Sequence, residues 1–104
     1  MTNISNDPRS KIKVVTMNGN LMPLNEAKIS ITAPGLSYAA LVFEGIRAYW
    51  NKKDKELFVF RLDDHLKRFA NSMKILKFEK TPSLDLIKKQ IIENILANDY
   101  KEDI

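Results

Sequence analysis

The pattern that most constrains this fold is a change of period within residues 42–76. From Val42 to Trp50 the chain repeats every two residues. Phe43, Gly45, Arg47 and Tyr49 fall on one side, and Val42, Glu44, Ile46, Ala48 and Trp50 on the other. Further on, Leu66, Phe69, Ala70, Met73 and Leu76 recur at helical spacing. One element cannot carry both periods, so a strand must give way to a helix between them. Leu57 to Leu62 is apolar and aromatic and follows the charged run Asn51 to Glu56, which predicts a hairpin with the preceding strand. Asp63 or Asp64 is the expected N-cap of the helix over Asp64 to Leu76, with His65, Arg68 and Ser72 on a neighbouring face.

Before this region, Val14 to Met17 and Leu21 to Leu24 flank Asn18-Gly19. Both turn positions tolerate the positive φ of a type I′ turn, so a first hairpin is predicted, with Pro23 confining its second strand to an edge. Lys28 to Thr32 alternates like a further strand until Ala33-Pro34-Gly35 interrupts it, and Leu36 to Leu41 fits a helical turn. Thr81-Pro82 opens a second long helix, with proline at its first position. Its stripe is Leu84, Ile87, Ile91 and Ile95, joined by Ile92 and Leu96, and Asn98-Asp99 ends it. Strands followed by two helices imply an α+β, two-layer domain: a mostly antiparallel sheet with two helices packed on one face. Residues 1–10 read as a flexible N-terminal arm and residues 11–104 as one small domain.

Composition removes several functions. The 104 residues include no cysteine, so neither a disulfide framework nor a thiolate metal site exists. No apolar run approaches membrane-spanning length, and Met1 to Lys13 lacks the apolar core of a secretory signal. A cytoplasmic protein is expected. The net charge is +4, but Asp54, Glu56, Asp63, Asp64 and Glu79 interleave with the lysines, which argues against nucleic-acid binding. Leu57-Phe58-Val59-Phe60 lacks the glycine of RNA-stacking sheets, so Trp50, Phe58 and Phe60 are read as core.

Few residues carry chemistry. Arg68 offers a rigid fork of donors suited to a phosphate; the plainer reading is a helix-surface ion pair with Asp64. Phe43 walls either a pocket or the core, and Gly45 on the same face lets a ligand approach the backbone. Arg47 binds a carboxylate or forms a surface salt bridge. Tyr38 precedes the strand, and its bland reading is a half-buried tyrosine. His65 is the single histidine and has no identifiable orienting partner, so no metal site and no chemical role are assigned to it. Glu44 faces away from Phe43 and reads as structural.

Tyr38, the block Val42-Phe43-Glu44-Gly45-Ile46-Arg47-Ala48-Tyr49 and the block Phe60-Arg61-Leu62-Asp63-Asp64-His65-Leu66-Lys67-Arg68-Phe69 stand in a telling order. Together they resemble the N-terminal domain of the class IV (fold type IV) pyridoxal-phosphate aminotransferases, and within that family the branched-chain amino acid aminotransferases. The likeness runs from about Val14 to the end and is specific at Val42–Tyr49 and His65–Phe69. Ala39-Ala40-Leu41 before the first block favours the branched-chain type over the D-amino acid transaminases and aminodeoxychorismate lyases. Phe60 to His65 also resembles some (R)-selective amine transaminases.

The resemblance implies that Arg68 contacts the phosphate of pyridoxal 5′-phosphate. It places Phe43 against the substrate side chain and Tyr38 across a dimer interface. The parent enzyme would move an amino group between leucine, isoleucine or valine and 2-oxoglutarate, as a homodimer or higher homo-oligomer. The cofactor-bearing lysine, the acid that pairs with the pyridine nitrogen and the phosphate-cradling turns of the large domain have no counterpart here. The chain is therefore expected to be an N-terminal piece of a longer transaminase, with no catalytic residue of its own and no activity alone. The competing expectation is a free-standing, non-catalytic interaction module that uses the basic helix or a sheet edge.

Overall fold

The computed structural model describes residues 11–104; the N-terminal arm expected over residues 1–10 lies outside them. Strand β1 (Val14–Met17) pairs antiparallel with β2 (Asn20–Pro23), in the register Val15 to Met22 and Met17 to Asn20. Asn18 (φ 53°) and Gly19 (φ 82°) both take positive φ, as a two-residue hairpin turn of this hand requires. A single 3-10 turn (Leu24–Glu26) and the short helix α1 (Pro34–Ser37) follow. The strand expected over Lys28–Thr32 does not form. No described strand pairs with it, and the Ser30 carbonyl instead closes a turn by accepting from the Ala33 N–H at 3.0 Å.

The second hairpin joins β3 (Ala48–Asn51) to β4 (Glu56–Val59), with Ala48 opposite Val59 and Trp50 opposite Leu57. The Phe60 N–H donates to the Arg47 carbonyl at 2.8 Å and carries the pairing one residue further. The expected strand from Val42 is shorter in its ladder than in its pattern. Residues 42–47 keep the two-residue alternation, with Val42, Glu44, Ile46 and Ala48 turned in and Phe43, Gly45, Arg47 and Tyr49 exposed. No ladder forms along residues 42–46, because no described strand lies beside them. The α+β class and the antiparallel pairing are as expected, but the pairing is divided between two separate hairpins.

Helix α2 (Leu62–Ile75) buries Leu62, Leu66 and Met73 along one stripe. Its N-cap is neither aspartate. Arg61 fills that position with a left-handed backbone (φ 51°, ψ 44°), while Asp63 and Asp64 sit in the first turn, where negative charge suits the helix dipole. Leu76, expected in the stripe, lies past the helix end and is exposed. Helix α3 (Leu84–Asn98) starts two residues later than Pro82 suggests: the Ser83 side chain caps it by accepting from the Leu86 N–H at 3.2 Å. Asp99 closes it in the left-handed region.

α3 packs against both α2 and β1. The buried apolar set among the described residues is small: Ala48, Leu62, Leu66 and Met73. One buried amide reinforces it. Asn98 Oδ1 accepts from the backbone N–H groups of Lys13 (2.9 Å) and Val14 (3.1 Å), and its Nδ2 donates to the Val14 carbonyl (3.0 Å). Lys88 on α3 bridges Asp63 on α2 at 2.8 Å and holds the Asp63 carboxyl below the usual carboxylate range. At the far end of the chain, Ile104 exchanges two backbone hydrogen bonds with Ala48, at 2.9 and 3.0 Å.

Candidate functional site

The alternation of residues 42–48 decides the site, because it sends Glu44 inward while Phe43 and Gly45 face out. The Glu44 side chain is 10% exposed and meets α2 at the first and second turns. Its Oε1 lies 2.8 Å from His65 Nδ1. An ionised carboxylate only accepts, so His65 donates through Nδ1. Arg68, one turn along, donates from Nε to Oε2 at 2.9 Å and from Nη2 to Oε1 at 2.8 Å, a two-point grip on one carboxylate. Hydrogen bonding from Arg68 first, and from His65 second, holds the Glu44 carboxyl below its ordinary value of 4.5. The same contact raises the Arg68 guanidinium further.

The plain reading of Arg68, an ion pair with Asp64, is thereby corrected. Asp64 takes Arg61 instead, with Arg61 Nε 2.8 Å from Asp64 Oδ2. The partner that sequence reasoning missed for both His65 and Arg68 is Glu44, on another element. Its charge on an otherwise apolar inward face (Val42, Ile46, Ala48) was the available signal, since a carboxylate there demands a cation.

Phe60, Arg61, Asp64, His65 and Arg68 line one open depression. Of the five guanidinium N–H groups of an arginine, Glu44 takes the one on Nε and one on Nη2. The other three meet no acceptor among the described residues. An exposed, permanently charged group with unused donors fits a phosphate at Arg68, with Arg61 beside it. No group of residues able to hold a metal occurs among the described residues.

The outward face carries the other expected positions. Phe43 is 79% exposed, which removes its reading as a core aromatic. Phe58 and Phe60, expected in the core, are about half exposed and lie on this side with Tyr49. The Tyr49 and Phe60 rings meet edge to face at 6.0 Å, and Arg47 sits over Tyr49 at 5.9 Å instead of in a salt bridge. Gly45 faces open space: a Cβ there would meet nothing within 4 Å. Tyr38 is 82% exposed just after α1, not half-buried. The structure thus gathers Phe43, Gly45 and Arg47 on one face and sets Glu44, His65 and Arg68 behind it. It shows no contact from Tyr38 to either group.

Comparison with known proteins identifies relatives of this chain. A family model described as "Amino-transferase class IV" matches residues 41–103. A probable branched-chain-amino-acid aminotransferase of Aquifex aeolicus is 31% identical over 86 residues, covering 83% of this chain and 28% of the relative. The crystal structure of the branched-chain amino acid aminotransferase of Thermobaculum terrenum in its PLP form superposes with a TM-score of 0.79 at 36% identity, over 88% of this chain and 30% of that one. The branched-chain aminotransferase of Thermoproteus uzoniensis with norvaline gives 0.75 at 42% identity, over 82% of this chain and 28% of that one. The chain thus spans less than a third of the length of these relatives. With the family match running through both the extended segment that carries Glu44 and the helix that carries Arg68, the chain belongs to the class IV aminotransferases.

Proposed function

We propose that this chain is the N-terminal small domain of a pyridoxal-phosphate-dependent branched-chain amino acid aminotransferase. The observation that carries the reading is the exposed Arg68 guanidinium, held by Glu44 with three N–H groups unused. Bound pyridoxal phosphate supplies the electron sink for moving an amino group between a branched-chain amino acid and 2-oxoglutarate. Arg68 holds the phosphate, a charge that persists at every working pH and needs no proton transfer. Phe43 offers its exposed ring to an aliphatic side chain. Gly45 leaves room for substrate atoms close to the backbone, consistent with the open space above it. Arg47 is the cation on that face available to a substrate carboxylate.

The lysine that bears the cofactor belongs to a second domain in this reading. The enzyme works as a cytoplasmic homodimer, in which the exposed Tyr38 reaches toward the neighbouring subunit's substrate pocket. That no described helix is long and apolar enough to cross a membrane accords with the compartment. The relatives support the substrate class, being branched-chain aminotransferases by name.

The test is Gly45→Val in the transaminase that carries this segment. Nothing among the described residues opposes the new side chain, so stability stays within about 0.5 kcal/mol. The KM for leucine rises while cofactor absorbance is retained. An unchanged KM removes Gly45 and its face from the substrate pocket.

A further inference from the structure

An arginine 66% exposed on a helix ordinarily samples many rotamers, and an anion that binds it must arrest them. Arg68 is already arrested. The carboxylate that grips it is nine-tenths buried and is fixed in turn by His65 Nδ1 at 2.8 Å, so neither side of the grip is free to drift. A lone surface salt bridge would have left both partners in water. Here the buried partner sits on the extended segment before β3, and the exposed partner presents its outer edge to the depression lined by Phe60, Arg61 and Asp64.

We propose that Glu44 is a positioning residue: its carboxylate fixes the Arg68 guanidinium in one orientation, with the three remaining N–H groups turned to a phosphate monoester. The role rests on the functional reading above for the identity of the anion, and on the geometry for the grip. His65 acts through Glu44, by holding the carboxylate, and does not itself meet the anion.

The test is heteronuclear NMR of the arginine Nε–H groups in the full chain. The probes are inorganic phosphate and pyridoxine 5′-phosphate, which carries the phosphate but no aldehyde to react with lysines. In the wild type, Arg68 Nε–H gives a sharp, slowly exchanging signal, and both probes shift it. In Glu44→Gln, with the backbone spectrum retained, exchange quickens and phosphate affinity falls by about tenfold, the size expected for one lost charge-assisted contact. Arg68→Lys keeps the charge on an exposed position but cannot be gripped at two points, and it shows a comparable loss.

Wild-type affinity in Glu44→Gln overturns the positioning role, as does a wild-type Arg68 that binds phosphate while its Nε–H exchanges freely. Should Glu44→Gln not fold, wild-type affinity in Arg68→Lys overturns it equally. A wild-type Arg68 that is slow to exchange yet silent to both probes overturns the phosphate reading of the site, and with it the anion that the role requires.

Discussion

Gly19, at the tip of the first hairpin, lies under the side chain of Gln90 on α3: a Cβ at Gly19 would come 3.2 Å from Gln90 Nε2. The hairpin tip therefore meets two demands at one residue, a positive φ of 82° and a close approach by a helix. Gly19→Ala is expected to destabilise by roughly 1–2 kcal/mol, from the left-handed backbone alone. Urea midpoints of the two proteins measure it. A variant as stable as the wild type would show that the turn relaxes freely.

Asn98, 2% exposed, is a polar side chain buried against β1. Asn98→Leu strands the Lys13 and Val14 N–H groups and the Val14 carbonyl in a partly buried place. Each orphaned group costs about 1–3 kcal/mol, so the substitution should loosen β1 or unfold the domain. Hydrogen exchange at Val14 reports this locally: its amide loses protection before those of α2 do.

Leu66 and Arg68 are neighbours with opposite expected phenotypes. Leu66 is 4% exposed, and Leu66→Ala should cost roughly 2–5 kcal/mol of stability. Arg68→Ala should cost clearly less stability than Leu66→Ala, only what Glu44 loses with its partner, and weaken cofactor binding in the whole transaminase by about tenfold or more. Absorbance titration with pyridoxal phosphate and denaturation of both variants separate the two. Wild-type cofactor binding in Arg68→Ala would reduce Arg68 to a surface residue.

Acid should weaken the domain through Glu44. Its carboxyl lies lower in the folded chain than its ordinary 4.5, so its contribution is complete above that value and lost as pH falls through the lowered one. Wild-type urea midpoints should fall as the pH drops below the ordinary 4.5, and Glu44→Gln should flatten part of that decline. Equal slopes would mean that the grip on Arg68 does not contribute to folding.

The 104-residue chain should not turn over leucine and 2-oxoglutarate with added pyridoxal phosphate, because covalent catalysis of this kind needs a lysine activated by its surroundings. The side chains of Lys11, Lys89 and Lys101 are more than half exposed, and Lys88 is bound to Asp63. Steady production of glutamate would show the expectation to be wrong.

Much of this was legible in the residues, and the exceptions share a cause. The two-residue alternation of Val42–Trp50, the Asn18-Gly19 turn and the Leu66–Met73 stripe act through local geometry, and each stands in the structure. What failed needed a distant partner. Lys28–Thr32 alternates but has no described strand beside it, and Phe58 and Phe60 are aromatic but stay about half exposed. The Glu44 contact escaped for the same reason. Glu44 lies 24 residues from Arg68, and only the docking of the strand on α2 brings them together.

The amide that ties Val14 to Asn98 joins residues 84 apart in the chain. During synthesis the first hairpin emerges well before the side chain that anchors it. β1 and β2 must therefore wait as an unmoored ribbon, which is marginal by itself in water. The order of folding then departs from the order of synthesis: β3, β4 and α2 assemble from near neighbours, α3 follows, and the hairpin made before them takes its place only once α3 has formed.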